Sequence, residues 1–197
     1  MQIKISKKNS KIGSVPNLSL TPGASCVPGI PCFTDGCYAK NAYLRFPNVK
    51  KAWDANLKFY EDNSEKFFDE FNTWLKKNKP ERFRLFVGWD FPGPAFYYMF
   101  EGLASDHPDT SFLVFTKRYE YDYSGKPDNL QVVLSTWPGV PLPTNTDLPW
   151  AWLEEDARRR KSYSHFVCPG GCQDCSHSCW DKLDSKTHVV FLRHSGD

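Results

Sequence analysis

The chain has 197 residues, with 25 Lys+Arg against 23 Asp+Glu and a formal net charge of +2 when the histidines are neutral. Hydrophobic residues make up 40% of it and aromatics 16%, enough for a real core, which excludes disorder over most of the length. A near-neutral balance gives no bulk electrostatic case for nucleic acid, and no run approaches the ~18 apolar residues of a membrane span. The opening Met1-Gln-Ile-Lys-Ile-Ser-Lys-Lys8 lacks the apolar core of a signal peptide. The expectation is one domain over residues 1–197, cytoplasmic (the host cytoplasm if phage-encoded) and away from membranes.

No internal repeat or long low-complexity tract interrupts the chain. Residues 12–37 are rich in Gly, Pro and Ser, which predicts an ordered loop with a short strand near Val15–Leu20; the N-terminal cysteine loop is taken as 12–40. From Pro47 the period becomes helical, with Val49, Trp53, Leu57 and Tyr60 on one stripe. A second helix is predicted after Asp62, whose spacing to Glu65 suits a capping box, running through Phe67, Phe71 and Leu75 to stop before Pro80.

The period then changes again. Arg82–Gly88, Ser111–Thr116 and Leu130–Ser135 read as strands, with Pro94–Ala104 a helix between the first two. Four prolines, at 138, 141, 143 and 149, mark a loop. Pro149–Lys161 is predicted as a helix carrying Glu154/Arg158, Glu155/Arg159 and Asp156/Arg160 as i,i+4 ion pairs. Its basic end, Arg158–Lys161, is read as a solvated helix terminus, with a phosphate-binding patch as the alternative. Thr187–Arg193 closes the chain as an apolar strand inside the sheet. Strands spaced by helix-length segments predict an α/β fold: a partial βα barrel-like parallel sheet with helices outside and cysteine-rich loops at both ends, the second over 165–182.

All seven cysteines fall in those two loops, as Cys26-x5-Cys32-x4-Cys37 and Cys168-x3-Cys172-x2-Cys175-x3-Cys179. Cytoplasmic thiols stay reduced and an odd number leaves one unpaired, so a disulfide framework is a poor reading and metal ligation the leading one. Four thiols within twelve residues are spaced more like a ferredoxin-type run than a zinc finger, so an iron–sulfur cluster, most simply [4Fe-4S], is expected. Structural zinc and redox-active thiols are the alternatives, and one centre drawing on both ends or two separate centres both remain open. His165 and His177, beside or inside the second run, are either exposed or able to replace or support a sulfur.

Asp90 and Lys117 stand at the predicted C-terminal ends of two strands, with Ser135-Thr136-Trp137 ending a third. They are the candidate catalytic residues. Against that, Asp90 could simply cap the following helix and Lys117 be solvated. No Gly-rich phosphate loop, Ser/His/Asp series or His-Glu-x-x-His motif is present.

The strings Gly36-Cys37-Tyr-Ala39, Arg45-Phe-Pro-Asn-Val49, Arg84-Leu-Phe-Val-Gly-Trp-Asp-Phe91, Phe112-Leu-Val-Phe-Thr-Lys117 and Cys179-Trp180 resemble the phage gene product 88 family over nearly the whole chain. Where that family shows Ser-Gly-Asp-Phe, this chain has Gly88-Trp89-Asp90-Phe91 and so keeps the Asp. The resemblance implies a phage or prophage protein and no particular activity. More distantly, a cysteine loop ending in Cys-Tyr-Ala ahead of βα units looks like the partial barrel of radical S-adenosylmethionine enzymes, although their Cys-x3-Cys-x2-Cys spacing is absent. That likeness implies three cysteines on a [4Fe-4S] cluster with S-adenosylmethionine at its open iron, and the second run holding an auxiliary centre. A zinc-stabilised module binding a partner or nucleic acid is the non-enzymatic alternative.

Overall fold

The structure, a computed structural model, describes residues 2–9, 11–145, 147–159, 164–172, 175–176, 179–181 and 183–192. Seven strands form one sheet: β1 (Asn17–Leu18), β2 (Arg82–Leu85), β3 (Ser111–Thr116), β4 (Leu130–Ser135), β5 (Trp150–Leu153), β6 (Ser164–Val167) and β7 (Thr187–Phe191). Their order is β1-β2-β3-β4-β5-β7-β6, every neighbouring pair is parallel, and among the described residues β1 and β6 do not pair with each other. The expected α/β class with a parallel sheet, helices outside and cysteine loops at both ends is therefore what the chain adopts.

Four helices precede or separate the first strands: α1 (Tyr38–Arg45), α2 (Pro47–Asp62), α3 (Ser64–Asn78) and α4 (Pro94–Ser105). Period-2 alternation gives the sheet two different faces. One carries Phe83, Leu85, Phe112, Val114, Val132 and Trp152 and buries them against Leu57, Phe67, Phe71 and Phe100 of the helices. The opposite face carries Leu113, Val133, Ala151 and Val189, covered by Trp180 and Leu183 and by the sulfurs of Cys168, Cys172 and Cys179. The second cysteine loop is thus a lid on one face of the sheet. Among the described residues no helix is long and apolar enough to cross a membrane.

Several expectations are corrected. Helix α1, unanticipated, starts inside what was read as the N-terminal loop. It is separate from α2 because Phe46 (φ −116°, ψ 102°) precedes Pro47, whose ring disfavours helical backbone at the residue before it. The cap of α3 is Asn63 rather than Asp62: Asn63 accepts the Lys66 N–H at 2.9 Å, while Asp62 closes α2 and pairs with Lys58 at 3.0 Å. Asn63→Ala is expected to lower stability by about 1 kcal/mol, read from urea unfolding.

The largest correction concerns the helix expected over Pro149–Lys161: its described part, residues 149–159, is not helical. Trp150-Ala-Trp-Leu153 is strand β5, buried between β4 and β7, followed by turns. A central parallel strand reads as an unbroken apolar run, and here that run met a string of charges whose spacing mimicked helical pairs. Among the described residues Asp156 pairs with Arg158 at 2.8 Å, two residues apart. Strand β6 was also unanticipated; it is an edge strand, mostly exposed, with little apolar content to announce it.

Candidate functional site

In an all-parallel sheet the chain leaves every strand on the same side, so the loops after β1, β2, β3 and β4 share one rim. The loop after β1 holds Cys26, Cys32 and Cys37; the next three hold Asp90, Lys117 and the Thr136-Trp137 pair after Ser135. Cys32 sits in a short 3-10 turn, Pro31–Phe33, closed by the N–H groups of Thr34 and Asp35 on the Pro31 carbonyl at 2.9 Å each. Gly36, at φ 77°, then turns the backbone into α1, where a side chain at Cβ would be strained.

Cys37 is the N-cap of α1, and its sulfur accepts the Lys40 N–H at 3.5 Å. The helix is seated on the loop after β2. Ala39, 2% exposed, packs directly on Gly88, and the Tyr38 hydroxyl donates to the Val87 carbonyl. One end of the cysteine loop is therefore fixed to the segment that carries Asp90.

Asp90 is buried, with 5% exposure. Its Oδ1 accepts the Thr116 hydroxyl at 2.5 Å and the Phe91 N–H at 2.9 Å, and its Oδ2 accepts the Lys117 N–H at 2.6 Å. It does not cap α4, whose N-cap is Gly93 without a side-chain bond. It stitches the loop after β2 to the end of β3. Burial pushes its carboxyl above the ordinary range, with the three hydrogen bonds and the Lys117 charge offsetting part of that rise. The Lys117 ammonium donates to Ser135 Oγ at 3.1 Å and lies 6.0 Å from the centre of the Trp137 ring. It is not a freely solvated lysine.

The three N-terminal thiols lie within electrostatic reach of one another and of this pair. Burial pushes Cys26 up to about 11; a Gly23 backbone hydrogen bond opposes the rise, and the charges of Cys32, Cys37 and Asp90 add to it. Burial raises Cys32 too, with Lys117 opposing and Cys37 and Asp90 adding. Tyr119, which the sequence did not single out, joins this rim: its hydroxyl donates to the Ser135 carbonyl at 2.5 Å, and burial pushes it up.

The C-terminal thiols form a second neighbourhood. Cys168 follows β6 directly and donates its N–H to the Val190 carbonyl at 2.7 Å; Cys172 donates to the Lys11 carbonyl at 2.7 Å; Cys175 donates to the Cys172 carbonyl at 3.5 Å. Trp180, beside Cys179, is 7% exposed and directs its indole N–H to the Phe83 carbonyl at 3.5 Å. Burial raises Cys168, Cys172 and Cys179, the last to about 12, and the Arg84 guanidinium opposes the rise at all three. Arg84, Lys11 and Tyr38 gave no sequence signal: a charge on a strand at period two looks like a solvated position until the opposite face is known to be covered.

All seven thiols are free and partly buried. Their chemistry fits a soft metal or an iron–sulfur cluster: clustered sulfurs whose thiolates burial disfavours until a cation shares the charge, each set with a basic side chain beside it. Among the described residues no three His, Cys, Asp or Glu side chains stand close enough to hold a metal ion. Tetrahedral zinc needs its sulfurs only about 3.8 Å apart, so either set would have to contract around a single ion, whereas a polynuclear core holds its ligands farther apart.

Of the other sequence candidates, His165 is exposed and stacks on His188, ring centres 5.4 Å apart and 11° from parallel. Arg158 is engaged by Asp156 and by the carbonyls of Val140 at 2.6 Å and Trp137 at 2.8 Å, which removes it as a free phosphate ligand. His177, Arg160, Lys161 and Arg193 lie outside the described residues.

Comparison with known proteins gives one family: the model of Gene product 88 matches residues 2–137. No curated protein and no solved structure matches. The matched region contains the N-terminal cysteines, Asp90, Lys117 and Ser135, and ends at Trp137, ahead of the C-terminal cysteines.

Proposed function

The chain belongs to the Gene product 88 family, and within that family we propose an iron–sulfur protein with two centres. Cys26, Cys32 and Cys37 would hold one on the rim of the sheet, and Cys168, Cys172, Cys175 and Cys179 the other on its opposite face. The observation that carries the reading is the sorting of the thiols: Cys26 and Cys32 feel the charge of their own set, Cys168, Cys172 and Cys179 that of theirs, and the two sets lie beside different basic residues, Lys117 and Arg84. A bound cluster supplies one-electron transfer. The residues of the chain do the rest. Asp90 fixes the backbone of Lys117, Lys117 offsets thiolate charge at Cys32, and α1 fixes Cys37 against Gly88.

Three sulfurs at the rim, rather than four, favour a second reading, an enzyme that binds S-adenosylmethionine beside the N-terminal centre, with Lys117 and Asp90 at its mouth. Calorimetry on the reconstituted protein separates the two: heat of binding for S-adenosylmethionine supports the enzyme, and none leaves the electron-transfer reading.

Protein purified without oxygen is expected to be brown, to release acid-labile sulfide, and to give an electron paramagnetic resonance signal that changes on dithionite reduction. Changing the three N-terminal cysteines together to Ala should remove the iron of one centre and spare the other. Loss of all iron from that variant would mean a single shared centre. A colourless protein with stoichiometric zinc would overturn the reading and leave the cysteines a structural role.

A further inference from the structure

Strand β2 sends Phe83 and Leu85 to the helical face and Arg82 and Arg84 to the face covered by the C-terminal cysteine loop. Arg82 reaches the surface and pairs with Asp181 at 2.9 Å. Arg84 does not. Its guanidinium lies over the Phe115 ring, 4.2 Å from the centroid, and Phe115 belongs to the apolar cluster that also contains Cys168, Cys172 and Cys179. Its Nε donates to the Phe86 carbonyl at 3.1 Å, a residue held at φ 56°, where a bulky side chain is seldom found. Among the described residues no carboxylate forms a salt bridge with Arg84.

A partly enclosed guanidinium over an aromatic ring and without a carboxylate partner is costly, and a long apolar side chain would fill the same space at less cost. Arg84 thus brings a positive charge to the face of the sheet that Cys168, Cys172 and Cys179 cover, through the ring of Phe115 that packs in the same cluster. Four thiolates leave either a divalent ion or a cubane core anionic. We propose that Arg84 is the counter-cation of the C-terminal four-cysteine centre, a positioning and charge-balancing residue that sets how tightly that centre holds its metal. Lys11 assists from the N-terminal segment, whose carbonyl anchors Cys172. The inference rests on the reading that these four cysteines ligate metal, and it holds for zinc as well as for iron.

The test uses the full chain with Cys26, Cys32 and Cys37 changed to Ala, so that one set remains, and Zn2+ alone as the probe against a competing chelator. Arg84→Gln is expected to weaken Zn2+ binding about 10–100-fold, the range seen when outer-shell partners of a metal site are removed. Arg84→Lys, which keeps the charge, should restore most of it. Arg84→Met gives a second readout that a purely structural arginine would not move: its unfolding midpoint should fall below the parent's in the zinc-loaded chain by more than in the metal-free chain. Parental zinc affinity in Arg84→Gln, or an equal midpoint change with and without zinc in Arg84→Met, would overturn the proposal. So would a parent that binds no zinc at these four cysteines. Zinc binding that depends on Arg84, in a protein that takes up no iron, would support the counter-cation and overturn only the iron–sulfur reading.

Discussion

Asp90→Ala is expected to lower the unfolding free energy by about 3 kcal/mol at neutral pH, because it strands three hydrogen-bond donors around a buried site. The Phe91 and Lys117 N–H groups and the Thr116 hydroxyl all lose their acceptor at once, and the loop after β2 loses its tie to β3. Asp90→Asn keeps one oxygen for Phe91 and Thr116 but turns an amide N–H2 toward the Lys117 N–H, so it should cost roughly 1–2 kcal/mol. The two variants also differ from the parent in pH dependence. Because the folded carboxyl is held above its ordinary value, the folded chain keeps this proton after the unfolded chain has lost it. The part of its contribution that is linked to this proton is therefore full below the unfolded value of about 3.9 and falls as pH rises through the raised folded value, while the hydrogen bonds it accepts remain. Urea unfolding across that interval should show the fall in the parent and not in Asp90→Asn. Parallel pH profiles for the two proteins would contradict it.

Gly88→Ala should act on the site from a residue that carries no chemistry. A Cβ there falls far inside the contact distance of the Ala39 Cβ and within 3.4 Å of its Cα, so α1 must move off the loop. Overpacking of this kind costs about 1–3 kcal/mol. The effect on the metal should exceed the effect on stability, since α1 begins at the Cys37 cap and movement of the helix carries that sulfur away from Cys26 and Cys32. Iron analysis after anaerobic reconstitution should show the loss of one centre's share in Gly88→Ala. A control, Gly93→Ala, where nothing lies within 4 Å, should retain it. Full iron content in Gly88→Ala would mean that Cys37 is not a ligand.

Much of the fold could be read from periodicity alone. Strands 111–116 and 130–135 fall where the β-branched and aromatic runs place them, and α2, α3 and α4 follow their apolar stripes to within a few residues. Failures arose where one pattern imitated another. Around Trp150 a central strand was followed by charges at helical spacing, and at Tyr38–Arg45 a short helix followed a loop rich in turn residues. The site was legible as far as its sulfurs, because cysteines confined to two loops are a signal independent of fold. Its charged partners were not. Whether Arg84 is solvated or enclosed depends on which segment covers the second face of the sheet, and that segment lies about a hundred residues further along the chain. Asp90 was visible as a strand-end residue, but its partners sit at Thr116 and Lys117, contacts that only the β2–β3 register creates.

The strand order β5-β7-β6 also imposes a sequence of events on assembly. Strand β6 emerges from the ribosome before β7, yet its neighbour in the sheet is β7, so it must wait as an unpaired segment until β7 has been made. The C-terminal cysteines lie in the connection between these two strands and reach the sheet only when β7 inserts between β5 and β6. The rim that carries the N-terminal cysteines can form as soon as β1 to β4 have come together, whereas the covered second face has to wait for β7. Without β7 the sheet would have a formed rim, a bare second face and an edge strand with no neighbour.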